Sequence, residues 1–341
     1  MALRRVTIQE IADACGLSRN TVSKVFNNRG AVQEATRLMV MKKAQELGYF
    51  RWVDEETSAD SGQGHVALLT RQKLLGHSFG SYFITSFTDQ ICRSGYTLKI
   101  YEISQEEMEE KRFPPHLNLD ETAGILGIEL FDRNYLSLIC SRGIPTVFVD
   151  GYAHIRKDAL CCDFVSMDNV ANEVALVERM LRAGARCVAF VGDLEHCNSF
   201  YERWLGFAFA VREAGLPIDK SCCILDPDSE NYGDVNWLQE RLAAMPLMPD
   251  AFVCANDYLA IQLMTALKRQ GYRIPEDVMV SGFDGSPEAG VVDPPLTTVR
   301  IPSEEIGRLA ASLLIERIRD PKRPFRWTYV QTTPVWGGST R

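Results

Sequence analysis

The chain of 341 residues is most informative first through what it lacks. No run approaches the ~20 consecutive apolar residues that a bilayer-spanning helix needs, so no membrane anchoring is expected. The segment Met1-Ala-Leu-Arg-Arg-Val-Thr-Ile-Gln9 is charged and polar, without the apolar stretch of a secretory leader, which predicts a cytoplasmic protein. Ten cysteines are too sparse in a chain this long for a disulfide scaffold, and none stand in C-x-x-C spacing. They read as reduced thiols acting as small hydrophobes. The five histidines, His65, His77, His116, His154 and His196, are scattered without ligand spacing, so neither a metal site nor a cofactor is expected. There is no Gly-x-Gly-x-x-Gly, Walker A or Gly-x-Ser-x-Gly string. Acids occur in pairs but without a nucleophile–base arrangement, and the chain does not read as an enzyme.

Positive charge is also in deficit, with 37 Lys and Arg against 45 Asp and Glu, a net of −8. Nucleic-acid binders usually present a basic surface. The deficit, however, is unevenly placed. Residues 1–52 hold nine Lys and Arg against four Asp and Glu, a net of +5, which leaves the other 289 residues at −13. A small basic head precedes a large acidic body.

The head reads as three short helices. Thr7-Ile-Gln-Glu10 has capping-box form, and Ile8, Ile11, Ala12 and Cys15 follow at helical spacing. Gly16 stops that helix and Ser18 caps the next, expected from Arg19 to Asn27. Val22, Val25 and Phe26 form its apolar face, which leaves Arg19, Asn20 and Lys24 outward. Two helices joined by a tight glycine turn are the helix-turn-helix layout. Arg and Asn suit the major-groove edges of guanine and adenine, while Thr7, Ser18, Thr21, Ser23 and Asn27 are short donors suited to phosphate oxygens. A third helix, near Glu34 to Leu47, packs Leu38, Met41 and Ala44.

The uninterrupted string Val6-Thr-Ile-Gln-Glu-Ile-Ala-Asp-Ala-Cys-Gly-Leu-Ser-Arg-Asn-Thr-Val-Ser-Lys-Val-Phe-Asn27 resembles the DNA-binding head of the LacI/GalR family of bacterial transcription regulators. The resemblance implies base reading by Arg19, Asn20 and Lys24, the last standing where Arg is commoner. It also implies a hinge helix after Leu47-Gly48-Tyr49, of the form Pro-Asn-x-x-Ala-Arg-x-Leu. Here Glu55 and Glu56 fall near the Ala-Arg pair and Ser58 falls at the Leu. Acids beside phosphate repel, so residues 53–64 read as an acidic tether and an atypical hinge.

From His65 onward, β-rich runs (Val66–Leu69, Thr97–Tyr101, Gly124–Ile128, Thr146–Val149, Val188–Val191, Ala251–Cys254, Val278–Gly282) alternate with helical stretches (Phe83–Arg93, Val170–Arg182, Arg203–Glu213, Tyr258–Gln270). That alternation predicts parallel sheets wound on both faces, in two lobes with a cleft at the carboxyl ends of the strands. Asp150, Arg203, Asn256, Asp257 and Asp284 follow strand-like runs and form a candidate polar clamp. Phe79, Tyr82, Phe83, Tyr232 and Trp237 are aromatics able to stack on a ligand or to pack a core.

The resemblance continues through Gly143-Ile-Pro-Thr-Val147, Val165-Ser-Met-Asp-Asn169, Cys254-Ala-Asn-Asp-Tyr-Leu-Ala260, Ile274-Pro-Glu-Asp-Val278, Ser281-Gly-Phe-Asp284 and Pro295-Leu-Thr-Thr-Val299. It implies an α/β core of periplasmic-binding-protein type after the three-helix head, spanning 65–341. The chain would cross between lobes near Asp163, Val291 and Asp320. One lobe is thus 65–163 plus about 291–320, and the other 164–290 plus about 321–341. By motif match Asp150, Arg203, Asn256 and Asp284 fall on effector positions, with Tyr82 and Phe83 within ligand reach. Phe79 and Tyr232 complete the expected effector-binding set. The implied protein is a sequence-specific regulator, most simply a repressor. Its partners would be a double-stranded DNA operator, a second copy in a homodimer, and a small effector, in most relatives a sugar. A sugar carrier or a doubly wound enzyme are the competing classes, and the basic head and the missing catalytic arrangement count against them.

Overall fold

The computed structural model describes residues 8–26, 34–46, 64–71, 78–156 and 160–341. The chain divides into two compact units, residues 1–61 and 62–341. In the first, α1 (Ile8–Cys15), α2 (Arg19–Phe26) and α3 (Glu34–Glu46) pack around Ile11, Ala12, Val22, Val25, Val40 and Ala44. Gly16 ends α1 with a positive φ of 64°, while Gly16 and Leu17 return their N–H groups to the carbonyls of Asp13 and Ala12. That is the two-bond helix stop for which glycine is preferred, because a Cβ is disfavoured at left-handed φ. Ser18 starts α2 by accepting the N–H of Thr21 at 3.0 Å. The expected capping role of Thr7, and the side chains of Phe26, Leu38 and Met41, lie outside the described residues.

The second unit begins with β1 (His65–Thr70), α4 (Ser78–Arg93), β2 (Thr97–Glu102), α5 (Gln105–Glu109), β3 (Thr122–Ile128), α6 (Arg133–Cys140), β4 (Thr146–Val149) and β5 (Asp163–Met167). Then follow α7 (Val170–Arg182), β6 (Val188–Val191), α8 (Asn198–Glu213), α9 (Val235–Ala243), β7 (Ala251–Cys254), α10 (Asp257–Arg269) and β8 (Met279–Ser281). The chain closes with β9 (Thr298–Arg300), α11 (Ser303–Arg319), β10 (Trp327–Val330) and β11 (Thr333–Val335). Six strands form one sheet in the order β10-β5-β4-β3-β1-β2, all parallel, and three form another in the order β6-β7-β8.

Alternation along the first sheet explains why its strands read as continuous apolar runs. Val66, Leu68, Leu126, Val147 and Val165 face α4 and α11, while Ala67, Leu69, Ile125, Phe148 and Phe164 face α6. Both faces are therefore dry. The pair α4 and α11 approaches closely at Gly307, where a Cβ would stand 2.2 Å from Ser86 Oγ and 2.5 Å from the Phe83 carbonyl. The second lobe buries Val177, Phe190, Phe207, Phe252, Leu263 and Val280 between its sheet and α7, α8 and α10.

The lobe boundaries differ from the sequence-based expectation. Asp163 does not mark a crossing, because β5 is hydrogen-bonded between β4 and β10 in the first sheet. Residues 321–330 likewise return to the first lobe as β10 rather than joining the second. The reason is a buried ion pair. Arg317 on α11 binds Asp163 through two bonds, Nε to Oδ2 at 2.9 Å and Nη2 to Oδ1 at 3.1 Å, with both side chains nearly inaccessible. Arg317 also donates to the carbonyls of Pro321, Arg323 and Pro324, and the Arg326 N–H donates to Asp163 Oδ1 at 2.7 Å. The return segment is thus held against the start of β5, and Trp327 stacks on Phe164 at 4.4 Å. The chain crosses instead after Met167, near Thr297–Thr298, and after Val330. Ser339 then bonds Val280 in the second lobe.

Removing one member of a buried pair leaves the other as an uncompensated buried charge, typically a loss of about 3–5 kcal/mol. Arg317→Met is expected to lower the unfolding free energy by that amount in urea titration. Adding Asp163→Leu to Arg317→Met is expected to recover part of it.

Candidate functional site

Helix α2 buries Val22 and Val25 and leaves Arg19, Asn20 and Lys24 exposed, with Thr21 and Ser23 half-buried. The expected base-reading triad therefore shares the solvent side of one helix. Ser18 and Thr21 are bonded to each other through their hydroxyls at 2.8 Å, so both are engaged in starting the helix. Thr7 and Asn27 lie outside the described residues.

In the body, the polar groups gather where strands of the two sheets end. Glu129 follows β3, Asp150 follows β4 and Asp284 lies just beyond β8, and all have positive φ, at 55°, 62° and 119°. Non-glycine residues in such conformations cost on the order of 1 kcal/mol or more and persist where surrounding structure holds them. Backbone bonds do so here: Asp150 N–H donates to the Val165 carbonyl and Asp284 N–H to that of Val299. Asp150 accepts the Ser199 N–H at 3.3 Å, and the Asn198 N–H reaches the Gly151 carbonyl at 2.8 Å. The first turn of α8 therefore points at Asp150, where its unpaired amides and dipole favour an anion. The other Asp150 oxygen, Oδ1, is buried without a hydrogen-bond partner.

Arg203, one turn further along α8, is nearly inaccessible. Its Nε donates to Asn169 Oδ1 at 3.0 Å, and Nη1 donates to the Ala255 carbonyl at 2.6 Å and to Asp284 Oδ1 at 3.3 Å. Nη2 lies 3.8 Å from Met167 Sδ, and the Phe283 ring covers the guanidinium with its centroid 3.8 Å away. One side chain thus joins the ends of β5, β7 and β8. Behind it, Asp257 accepts from Thr298 Oγ1 at 2.5 Å and from the Ser286 N–H at 2.7 Å. Burial and the nearby Asp284 push its carboxyl up to about 7. Burial likewise pushes Glu129 up to about 7, against the pull of His196.

Of the expected effector residues, the structure brings together Asp150, Arg203 and Asp284. Asn256 stands beside them, but its Oδ1 caps α10 through the Leu259 N–H at 2.9 Å. Two aromatics go elsewhere. Phe83 is wholly buried in the first-lobe core and stacks on Phe87 at 5.9 Å. Tyr232 packs on Trp237 at 5.1 Å and donates its hydroxyl to the Asp226 carbonyl at 2.7 Å, inside the second lobe. Tyr82 is half-buried, and the Phe79 side chain lies outside the described residues.

Sequence reasoning missed Glu129, Asn169, Glu173, Ser199 and Glu202. Asn169 binds Arg203, Glu202 and Ser199, and Glu202 accepts the Tyr329 hydroxyl from the opposite lobe at 2.8 Å. The available signal for Asn169 was its place at the end of the quoted Val165–Asn169 motif. A cavity of about 390 Å³ opens beside the cluster, lined by Phe131, Arg133, Tyr152, His154 and Glu195. His154 and Glu195 close it from opposite lobes with a 2.7 Å bond. Such a volume suits a small organic ligand.

Glu173 on α7 is the most buried acid of this region, and neither of its oxygens has a hydrogen-bond partner. Burial raises its carboxyl to about 8, and Arg203 pulls in the opposite direction. The folded state holds the proton while the unfolded chain releases it near 4.5, so stability falls as pH rises from 4.5 through 8. Glu173→Gln is expected to leave stability nearly unchanged at pH 4 and to raise it at pH 8, read from chemical unfolding at both values. Equal effects at both would contradict the assignment.

Residues 7–51 match the family profile described as bacterial regulatory proteins, lacI family, and residues 177–340 match that of a periplasmic binding protein-like domain. The HTH-type transcriptional regulator CelR of Thermobifida fusca is 27% identical over 325 residues, covering 92% of each chain. Among solved structures, a transcriptional regulator CelR–cellobiose complex superposes with a TM-score of 0.71 at 25% identity, covering 98% of this chain and 100% of that one. A lac repressor dimer bound to operator and the anti-inducer ONPF has the same fold, with a TM-score of 0.70 at 19% identity and 99% coverage of both chains. With a helix-turn-helix head and a two-lobed binding-protein body in one chain, the protein belongs to the lacI family of bacterial DNA-binding transcription regulators.

Proposed function

We propose that the protein is a cytoplasmic repressor that reads a palindromic operator as a homodimer and is controlled by a small hydroxylated effector, a sugar or sugar derivative, held between the lobes. The observation that carries the DNA half is α2, which buries Val22 and Val25 and presents Arg19, Asn20 and Lys24 to solvent. One such head makes few base contacts, and half-site symmetry supplies the second. The cleft supports the effector half. Carboxylates accept from hydroxyls, and hydrogen bonds join the lobes at Asp150–Ser199, Gly151–Asn198, His154–Glu195 and Tyr329–Glu202. An effector acts through its differential affinity for two lobe arrangements, typically 1–3 kcal/mol of coupling.

The full chain selected against random duplex DNA is expected to enrich a palindrome. Arg19→Ala is expected to lower its preference for that palindrome by about 5- to 150-fold, the worth of one bidentate base contact, with folding unchanged by circular dichroism. Undiminished selectivity in a gel-shift competition removes Arg19 from base reading.

Asp150→Ala is expected to bind the same palindrome yet lose the response to whichever member of a sugar panel releases the wild-type chain. Retention of that response places the effector elsewhere.

A further inference from the structure

The charges around the cleft are unbalanced. Glu129, Asp150 and Asp284 lie close enough to act on one another as like charges, and Asp257 stands behind Asp284. The cation of this cluster, Arg203, is committed. Asn169, the Ala255 carbonyl and Asp284 hold its N–H groups, Phe283 covers its face, and 3% of the side chain is exposed. His196 faces the carboxylates too, but is bonded to Asp228. Arg133, on the wall of the adjoining cavity, has its guanidinium over the Tyr152 ring, 5.9 Å from the centroid. At Asp150 and Asp284 themselves a ligand acid would find no open guanidinium fork and would stand beside carboxylates, at a cost in repulsion.

The acids have the opposite problem. Asp150 Oδ1 is buried with no hydrogen-bond partner, in a residue 9% exposed. Glu129 stands near it, half-buried. A buried acceptor left unpaired costs about 1–3 kcal/mol, and more when charged, so Asp150 Oδ1 is placed for an incoming donor. Among the described residues, no three His, Cys, Asp and Glu side chains are grouped to hold a metal ion. The adjoining cavity is lined by residues 131–133 and 152–154 and by Glu195, with the rings of Phe131 and Tyr152 and the guanidinium of Arg133 among them. Those rings suit either the apolar face of a sugar or an organic cation, and the volume of about 390 Å³ admits a molecule of that size.

We infer that the cleft recognises a hydroxylated primary amine of amino-sugar type, with its ammonium group set against Asp150 and Glu129, in preference to a neutral sugar or a sugar acid. This rests on the effector reading of the same cleft. It adds the sign of the ligand's charge and assigns Glu129 to its recognition.

The test uses the purified full chain and three matched series: glucosamine, galactosamine and chitobiose amine (the β-1,4 glucosamine dimer), each with its neutral parent sugar and the corresponding uronic acid. Thermal shift ranks the probes and titration calorimetry gives the dissociation constants. At least one amine is expected to bind tenfold or more tightly than its neutral parent, with the acids weakest. Asp150→Asn and Glu129→Gln are each expected to weaken the amine at least tenfold and to narrow its advantage over the neutral parent. The two variants are read separately, so a folding defect in one leaves the other informative. A neutral sugar or an acid that binds best and loses affinity in Arg203→Ala overturns the charge assignment while leaving the effector reading intact. Absence of binding by every probe in the three series overturns both.

Discussion

The body of this protein depends on one buried guanidinium. Arg203 sits on α8, yet its partners belong to segments that leave β5, β7 and β8, in both lobes. A buried charge is tolerable only when its donors are satisfied, so the chain must bring Asn169, the Ala255 carbonyl and Asp284 to one place. That requirement accounts for several local oddities. Asp284 takes an unfavourable φ, the ring of Phe283 turns onto the guanidinium, and Asp257 is buried behind the pair with its oxygens bonded to Thr298 and Ser286. Lys would not serve, because a point charge cannot meet three acceptors held in a planar array while stacking on an aromatic ring.

The second buried pair does comparable work at the opposite end of β5. Arg317 and Asp163 hold the segment 321–326 so that β10 completes the first sheet, and the chain then crosses to the second lobe beyond Val330. Strand β5 thus begins at one buried Arg and ends at another, since Met167 and Asn169 contact Arg203. The crossing after Met167 is therefore anchored on both sides by charged groups with fixed bonding geometry. A ligand-dependent shift between lobes has to act between these anchors.

Much of the architecture was legible in local sequence. The head followed from caps and spacing, because Ser18, Gly16 and the Val22–Val25 pair act within a few residues of themselves. Strands β1, β3, β4, β6, β7 and β8 were legible because burial on both faces gives apolar runs, and the edge strand β2, partly exposed, through its β-rich Thr97–Tyr101 stretch. Strand β5 was not, because Asp-Phe-Val-Ser-Met carries a buried Asp and a buried Ser, and only a distant Arg317 makes that Asp tolerable. Strands β9 to β11 are short or partly exposed and leave no apolar run. At the cleft, Asp150, Arg203 and Asp284 were legible as polar residues following strand-like runs. For Phe83 and Tyr232 the sequence left ligand stacking and core packing open, because an aromatic side chain has the same signature in both, and the structure places both in cores. Glu129 was missed because nothing local to an acid after an apolar run shows that folding brings it beside Asp150 and Asp284.

The hydrogen bonds that join the lobes limit how an effector could work. Asp150 with Ser199, Gly151 with Asn198, His154 with Glu195, and Tyr329 with Glu202 all bridge the cleft directly. An occupant that replaced these contacts one for one would bind without shifting the lobes, because its affinity for both arrangements would be similar. Control requires a group whose interaction differs between arrangements. Asp150 meets that condition: one oxygen is bound to the first turn of α8 across the cleft, and the other has no partner. A donor brought to the second oxygen draws charge away from the first and loosens its hold on α8. Under the proposed binding mode, the lobe contact and the ligand contact compete for a single carboxylate, and the sign of the response follows from which of them the open arrangement preserves.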